Sequence, residues 1–311
     1  MFSGSLEVLD HITLNFSPQG LFLMNVTIAF IMFGVALDMS FGGFKNLMRK
    51  PKPLIAGMIS QIILLPVITF MLILILKPSH GVALGMLLVA SCPGGNVSNF
   101  ISSLSRANIE LSVSLTAVTT LTAIIITPVN FAFWGGLYVG TSPLLRPIEI
   151  DPWQMLQTVV ILLGIPLVLG LAFKMKFPVL TAKILKPVKW ASIFLFAGFI
   201  AGALSANFGH FLKYIHLIFL IVLVHNGIAF LTGYGFASLL KLPPKDRRSV
   251  SVETGIQNSG LALALVFNPK IFPSDLELGG MAFIAAWWGI WHIIAGLGIA
   301  LIWSRRDKKL L

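Results

Sequence analysis

The sequence predicts an all-α membrane protein with nine transmembrane helices, on three observations: composition, the spacing of apolar stretches and the sidedness of basic residues. Of 311 residues, 57% are hydrophobic and only 11% charged, against roughly 25% charged in an average soluble domain. A spanning helix needs about 20 mainly apolar residues. Stretches at about 21–40, 53–76, 81–104, 108–136, 153–173, 190–206, 214–240, 249–269 and 278–303 meet that length. The connections between them leave no room for a soluble domain. Residues 21–304 therefore read as one transmembrane domain, after an extracellular segment 1–20 and before a basic cytoplasmic tail 305–311.

The net charge of +11 would suit nucleic acid or an anionic partner if it were spread evenly. It is not. With the N-terminus outside, every Lys and Arg except Lys77, Arg146, Lys213 and Lys270 falls on the cytoplasmic side, an 18 to 4 split. That is the positive-inside bias of an inserted protein, so the charge is topological and no nucleic-acid partner is expected. The expected location is a cell membrane, plasma or inner, crossed many times, with the C-terminus in the cytoplasm.

The first 20 residues carry Glu7 and Asp10 but no Lys or Arg, so they lack the basic start of a secretory signal and no cleavable signal is expected. Leu6, Leu9, Ile12, Leu14 and Phe16 suggest a short helix lying in the outer membrane interface. Cys92 is the single cysteine, which excludes an intramolecular disulfide and a multi-thiolate metal site.

Charge inside a bilayer is costly, so acids found there are candidates for function. Ten of the eleven acidic residues lie in loops, tails or near helix ends, as Asp38 and Glu110 do. Glu253 alone sits well inside a span. It belongs to Val252–Gly260, which brings Glu, Thr, Gln, Asn and Ser into a segment that must cross hydrocarbon. A second polar segment, Ser91–Asn99, contains Pro93, Gly94 and Gly95, all poor helix formers. Broken backbone at membrane depth is tolerated where it is buried in protein or lines a wet cavity, so both segments should face one interior site.

Their places in the order of spans add to this. Pairing spans one to four with six to nine matches the third with the eighth in opposite directions, an inverted repeat that leaves the fifth span unpaired and suggests a missing N-terminal helix. Interrupted segments at corresponding places in inverted halves point to the site of a secondary transporter. Helix packing by small and polar residues is the competing reading for either segment alone. His225, in the middle of the seventh span, reads as structural.

At these residues the chain resembles the bile acid/sodium symporter family. The resemblance runs from about Ile31 to Trp303 and rests on Met32–Asp38, Cys92–Asn99, Leu111-Ser112 with Thr116, His225-Asn-Gly, and Glu253–Gly260. It implies a core domain with two crossing broken helices, at about 53–136 and 214–303, and a panel domain at about 21–40 and 153–206. Alternating access would come from movement of one against the other. It also implies two sodium ions, the first held by Ser98, Asn99, Ser112, Thr116 and Glu253. The second would be held by Gln61, Glu253, Gln257 and the backbone carbonyls of Thr254 and Ile256. Hydroxyl, amide, carbonyl and carboxylate oxygens are hard ligands suited to a hard cation, by analogy with calcium and magnesium sites. No other metal is expected.

Two sodium ions against one Glu leave a net charge of +1, which a monoanionic substrate would neutralise. On the substrate side the resemblance places Asn96 and Asn258 beside the crossing and His292 on the last helix. Similar bacterial proteins carry Asn directly after that His, whereas Ile293 follows here, and an interhelical role for His292 among Trp287, Trp288 and Trp291 is the alternative. The function expected is sodium-coupled import of an organic anion such as a bile acid, a steroid sulfate or a smaller carboxylate. Metalloid or organic-anion efflux, which related folds perform and for which Cys92 in a broken helix is the residue basis, and a membrane sensor or receptor are the rivals. No enzyme is expected, since neither a Ser-His pair nor a second buried acid accompanies Glu253.

Overall fold

The computed structural model of the chain describes residues 3–12, 18–39, 51–95, 97–140, 151–206, 208–268, 270–272 and 278–308. Among them every regular element is helical. In chain order these are α1 (Ser3–Asp10), α2 (Pro18–Asp38), α3 (Lys52–Leu76), α4 (His80–Ser91), α5 (Val97–Leu104) and α6 (Ile109–Gly140). Then follow α7 (Pro152–Lys176), α8 (Pro178–Ala206), α9 (Phe208–Leu239), α10 (Pro244–Gly255), α11 (Ser259–Val266) and α12 (Gly279–Lys308). Six of them, α2, α3, α6, α7, α9 and α12, are each long and apolar enough to cross a membrane.

Both polar segments interrupt their helices. α4 stops at Ser91 and α5 resumes at Val97, while α10 stops at Gly255 and α11 resumes at Ser259. The second interruption is capped at once, since the Asn258 side chain accepts the Leu261 amide at 3.0 Å, the bond that a helix N-cap supplies.

Proline shapes α3 in a different way. Pro66 has no N–H, so it cannot bond the carbonyl four residues back, that of Ile62. The backbone widens into a π-helical stretch over Ser60–Leu64, and Asn130 of α6 reaches across to donate Nδ2 to Ile62 O at 2.8 Å. Pro166 follows a π-helical stretch in α7, Val160–Gly164, in the same way. There the residue at the place of Gln61 is Ile161, 58% exposed, where Gln61 is 2% exposed. The irregularity belongs to the proline. The buried polar side chains on α3 do not.

Two expectations need correction. The apolar face of α1 does not lie against lipid: Leu6, Leu9 and Ile12 are buried in protein, where α1 packs on α4 and α12. A membrane interface and a protein surface make the same demand on an apolar face, so sequence could not separate them; Leu14 and Phe16 lie outside the described residues. Second, the basic stretch before residue 190 is not a loop. α8 is already helical from Pro178 and carries Lys183, Lys186 and Lys189 at its first end, where long stems let the charged heads reach outward. Lys189 pairs with Asp38 at 2.7 Å, and Lys174 donates to the C-terminal carbonyls of α2 at Leu37, 2.8 Å, and Met39. α2, α7 and α8 pack together, while α4, α9, α10, α11 and α12 gather round the two interruptions.

Candidate functional site

The two interruptions touch. Gly94 and Gln257 form an antiparallel bridge, Gly95 N donates to Ile256 O at 2.9 Å, and Asn258 N donates to Pro93 O at 2.8 Å. Donors freed by one broken helix are thus met by acceptors freed by the other, which answers the demand that buried backbone groups be paired. The contact is close enough to favour glycine. A Cβ on Gly94 would stand 2.9 Å from both Gln61 Nε2 and Glu253 Oε2, and one on Gly95 would stand 3.1 Å from Gln257 O.

Glu253 is delivered by register. Asn108 sits just before α6, and its carbonyl accepts from Ser249 Oγ of α10 at 2.7 Å. One turn further along both helices, Ser112 Oγ donates to Glu253 Oε1. Residues four apart share a helix face, so Thr116, the next turn of α6, also reaches the carboxylate, at 3.1 Å to Oε1 and 3.0 Å to Oε2. From α5, Ser98 Oγ donates to Oε1 at 2.6 Å. Glu253 is fully buried.

The oxygens outnumber the protons. Thr116 Oγ1 lies within 3.3 Å of Ser98 Oγ, Asn99 Oδ1, Ser112 O, Glu253 Oε1 and Glu253 Oε2. A hydroxyl has one proton to donate, so most of these approaches bring lone pair against lone pair. Such a cluster is chemically suited to a hard cation, which accepts many oxygens at once. Ser98, Asn99, Ser112, Thr116 and Glu253 therefore form one connected group.

A second group gathers at the Glu253 backbone carbonyl. Gln61 Nε2 donates to Glu253 O at 3.1 Å and approaches Gln257 Oε1 at 3.5 Å, and Gln257 Nε2 donates to Thr254 O at 2.9 Å. Ile256 does not join it by any of these bonds, its carbonyl being engaged by Gly95 across the bridge.

The substrate candidates are less closely assembled. Asn258 has its side-chain oxygen committed to capping α11, and Asn96 lies outside the described residues. His292 is 2% exposed, with Nδ1 lacking a partner. One turn beyond it, a Cβ on Gly296 would meet Ile101 at 2.6 Å and Ile256 at 3.1 Å, so the His292 region of α12 packs near the crossing. His225 bonds Thr69 Oγ1 through Nε2 at 2.7 Å and lies edge-on to Trp288 at 4.8 Å, a packing role between α3, α9 and α12.

Three supporting residues were given no role by the sequence alone. Asn226 donates Nδ2 to Gly255 O at 2.7 Å, covering a carbonyl that the end of α10 leaves free. Ser60 Oγ meets Thr254 Oγ1 at 2.8 Å, and Asn130 covers Ile62 O as above. A polar residue in mid-span was the available signal for each.

The chain is similar to known proteins over most of its length. The sodium-dependent transporter YocS of Bacillus subtilis is 32% identical over 290 residues, covering 92% of this chain and 84% of that protein. The human P3 protein is 33% identical over 224 residues, covering 71% of this chain and 46% of its own length, so the chain spans about half of it. Mouse sodium/bile acid cotransporter 4 is 28% identical over 253 residues, covering 78% and 56% respectively. The family model described as the Sodium Bile acid symporter family matches residues 25–215, more than half of the chain. With membrane-length helices, an oxygen-rich buried site and this match together, the chain belongs to the sodium bile acid symporter family, a family of sodium-dependent membrane transporters.

Proposed function

We propose that the chain imports an organic anion, coupled to two sodium ions, by alternating access. The observation that carries the reading is the group around Thr116 Oγ1, five oxygens within 3.3 Å of a one-proton hydroxyl beside a buried carboxylate. The first ion binds there, on Ser98, Asn99, Ser112, Thr116 and Glu253. The second binds on Gln61, Gln257, Glu253 and the carbonyls of Thr254 and Ile256, at the end of α10 where a helix presents its negative dipole.

With both ions bound to one carboxylate the site carries a net +1, which a monoanion neutralises. Each cycle then moves one positive charge inward, driven by roughly 2.3 kcal/mol per 100 mV plus the sodium gradients. The cargo, a bile acid, a steroid sulfate or a smaller carboxylate, is assigned to Asn96, Asn258 and His292 on the strength of the family resemblance. Nine spans are counted as the six long helices, the two interrupted pairs and α8. α2, α7 and α8, which pack together, make the panel; the elements about the crossing make the core, and all basic residues but Lys77, Arg146, Lys213 and Lys270 face the cytoplasm.

The test is uptake into proteoliposomes of a panel of labelled organic anions under an inward sodium gradient. Accumulation of a panel member should collapse when choline or potassium replaces sodium. Equal uptake in all three salts overturns the reading.

A further inference from the structure

The two atoms of the Gln61 carboxamide have unlike surroundings. Nε2 faces Glu253 O at 3.1 Å and Gln257 Oε1 at 3.5 Å. Oε1 is buried and has no hydrogen-bond partner. Gln61 also lines a cavity of about 10 Å³ together with Cys92, Thr119, Thr127 and Asn130, and Thr127 Oγ1 is a second buried oxygen without a partner. An unsatisfied buried polar atom costs about 1–3 kcal/mol. Two such atoms on residues that line one small chamber, of a size for about one water, indicate a site used in more than one arrangement.

An N–H donor and a cation make the same demand on an oxygen, since each presents positive charge to a lone pair. Glu253 O and Gln257 Oε1 can hold the Gln61 nitrogen or an ion at their shared focus, but not both. The terminal torsion of glutamine is broad and roughly two-fold, so reversing the carboxamide costs little.

We propose that Gln61 is the gate of the second ion: its nitrogen competes with sodium for Glu253 O and Gln257 Oε1, and the ion's arrival turns the carboxamide over. Oε1 then faces the ion, and the NH₂ group faces the chamber and Thr127 Oγ1. When the ion leaves, the nitrogen returns and covers oxygens that would otherwise be left bare in a dry site. The proposal rests on the reading of the crossing as a sodium site, and it makes Gln61 both a ligand and a competitor. A simple ligand would favour only the loaded site, and a simple structural donor would be indifferent to sodium.

The experiment is a sodium titration of thermal stability on the purified full chain at alkaline pH, with choline holding ionic strength constant. Gln61→Glu supplies oxygens and, ionised, no donor, so its half-saturating sodium concentration should fall by about tenfold. Gln61→Met, which has neither group, should lower the melting temperature in choline by several degrees while shifting half-saturation by less than about threefold. Thr127→Val removes the partner of the turned amide, and should raise half-saturation by about threefold or more without touching an ion ligand.

Gln61→Glu that binds sodium no more tightly identifies a fixed donor and overturns the gate. So does Gln61→Met that is unchanged in choline but weakened at least about tenfold in sodium, the behaviour of a plain ligand. If neither Gln61 variant folds, an unaltered Thr127→Val titration overturns it. A wild-type chain that does not respond to sodium sinks the sodium site itself, a failure seen before any variant is made.

Discussion

Two carboxylates removed from bulk water are held in different ways, and the contrast separates a structural acid from a working one. Asp10, half-buried at the end of α1, accepts from Ser79 Oγ and from Gly81 N, each at 3.0 Å. It is wedged between the first turns of α4 and α12, so closely that a Cβ on Gly81 or Gly280 would meet its Oδ1 at 2.4 or 2.2 Å. Each carboxylate oxygen there has its own donor, and helix N-termini favour negative charge. Glu253 has no backbone N–H among its bonds. Three hydroxyls converge on it, all three on Oε1, with Asn99 Oδ1 also in the group. Asp10 is satisfied by the protein. Glu253 is surrounded by oxygens that a cation would reconcile.

Glu253→Gln gives the largest effect and tests that contrast directly. It removes the only charge in the cluster and puts an NH₂ among hydroxyls. Breaking a buried charge interaction by removing one partner costs about 2–5 kcal/mol, so half-saturating sodium should rise by about 100-fold or lie beyond measurement, and sodium-driven uptake should stop. Stability in choline should hold or improve. A variant that is unstable in choline yet normal in its sodium response would make Glu253 another Asp10.

Gly94→Ala comes next. Its Cβ would stand 2.9 Å from Gln61 Nε2 and 2.9 Å from Glu253 Oε2, forcing apart the groups proposed to share the second ion. Uptake should fall about tenfold or more, the scale of overpacking by about 1–3 kcal/mol. Ser112→Ala removes one neutral oxygen and should weaken sodium by about tenfold, near the 1.5 kcal/mol of a hydrogen bond to a charged group. Ser79→Ala removes the equivalent hydroxyl from Asp10. It should lower the melting temperature and leave the sodium titration in place; if the two serine variants behave alike, the contrast fails.

Much of the crossing was legible because its demands are chemical and local. Polar residues in mid-span are expensive, and Glu253 shows this along the chain, as Pro93 to Gly95 show the break, while Ser112 and Thr116 were found through the family resemblance. What escaped notice answers needs that arise only in three dimensions. Asn130 is bonded to Ile62 O because Pro66 cannot be, and nothing in the residues near Asn130 indicates that debt. Asn226 covers the end of a helix on another part of the chain. The docking of α1 was lost because an apolar face fits lipid or protein equally well. The direction of the Gln61 carboxamide is set by two partners nearly 200 positions away, beyond any local pattern.

Asp10→Asn should have the smallest effect, and its pH dependence tests the other half of the contrast. Burial holds the Asp10 carboxyl above the ordinary aspartate range, outweighing the Gly81 amide, the Ser79 hydroxyl and the attraction of His80 and His11. A folded-state pKa above the unfolded one means that the folded chain binds more protons at intermediate pH. The stability from this group is therefore full below the unfolded value and is lost as pH rises through the folded value. Asn cannot titrate, but its carbonyl can still accept from Ser79 or Gly81. The variant should lack that fall in acid solution, stay within about 1 kcal/mol of wild type near neutrality and titrate sodium normally. Parallel curves of melting temperature against pH for the two proteins would show that Asp10 is not the titrating group. A shifted sodium titration would mean that the α1 dock and the crossing are coupled, and that the division between a structural and a working carboxylate is drawn in the wrong place.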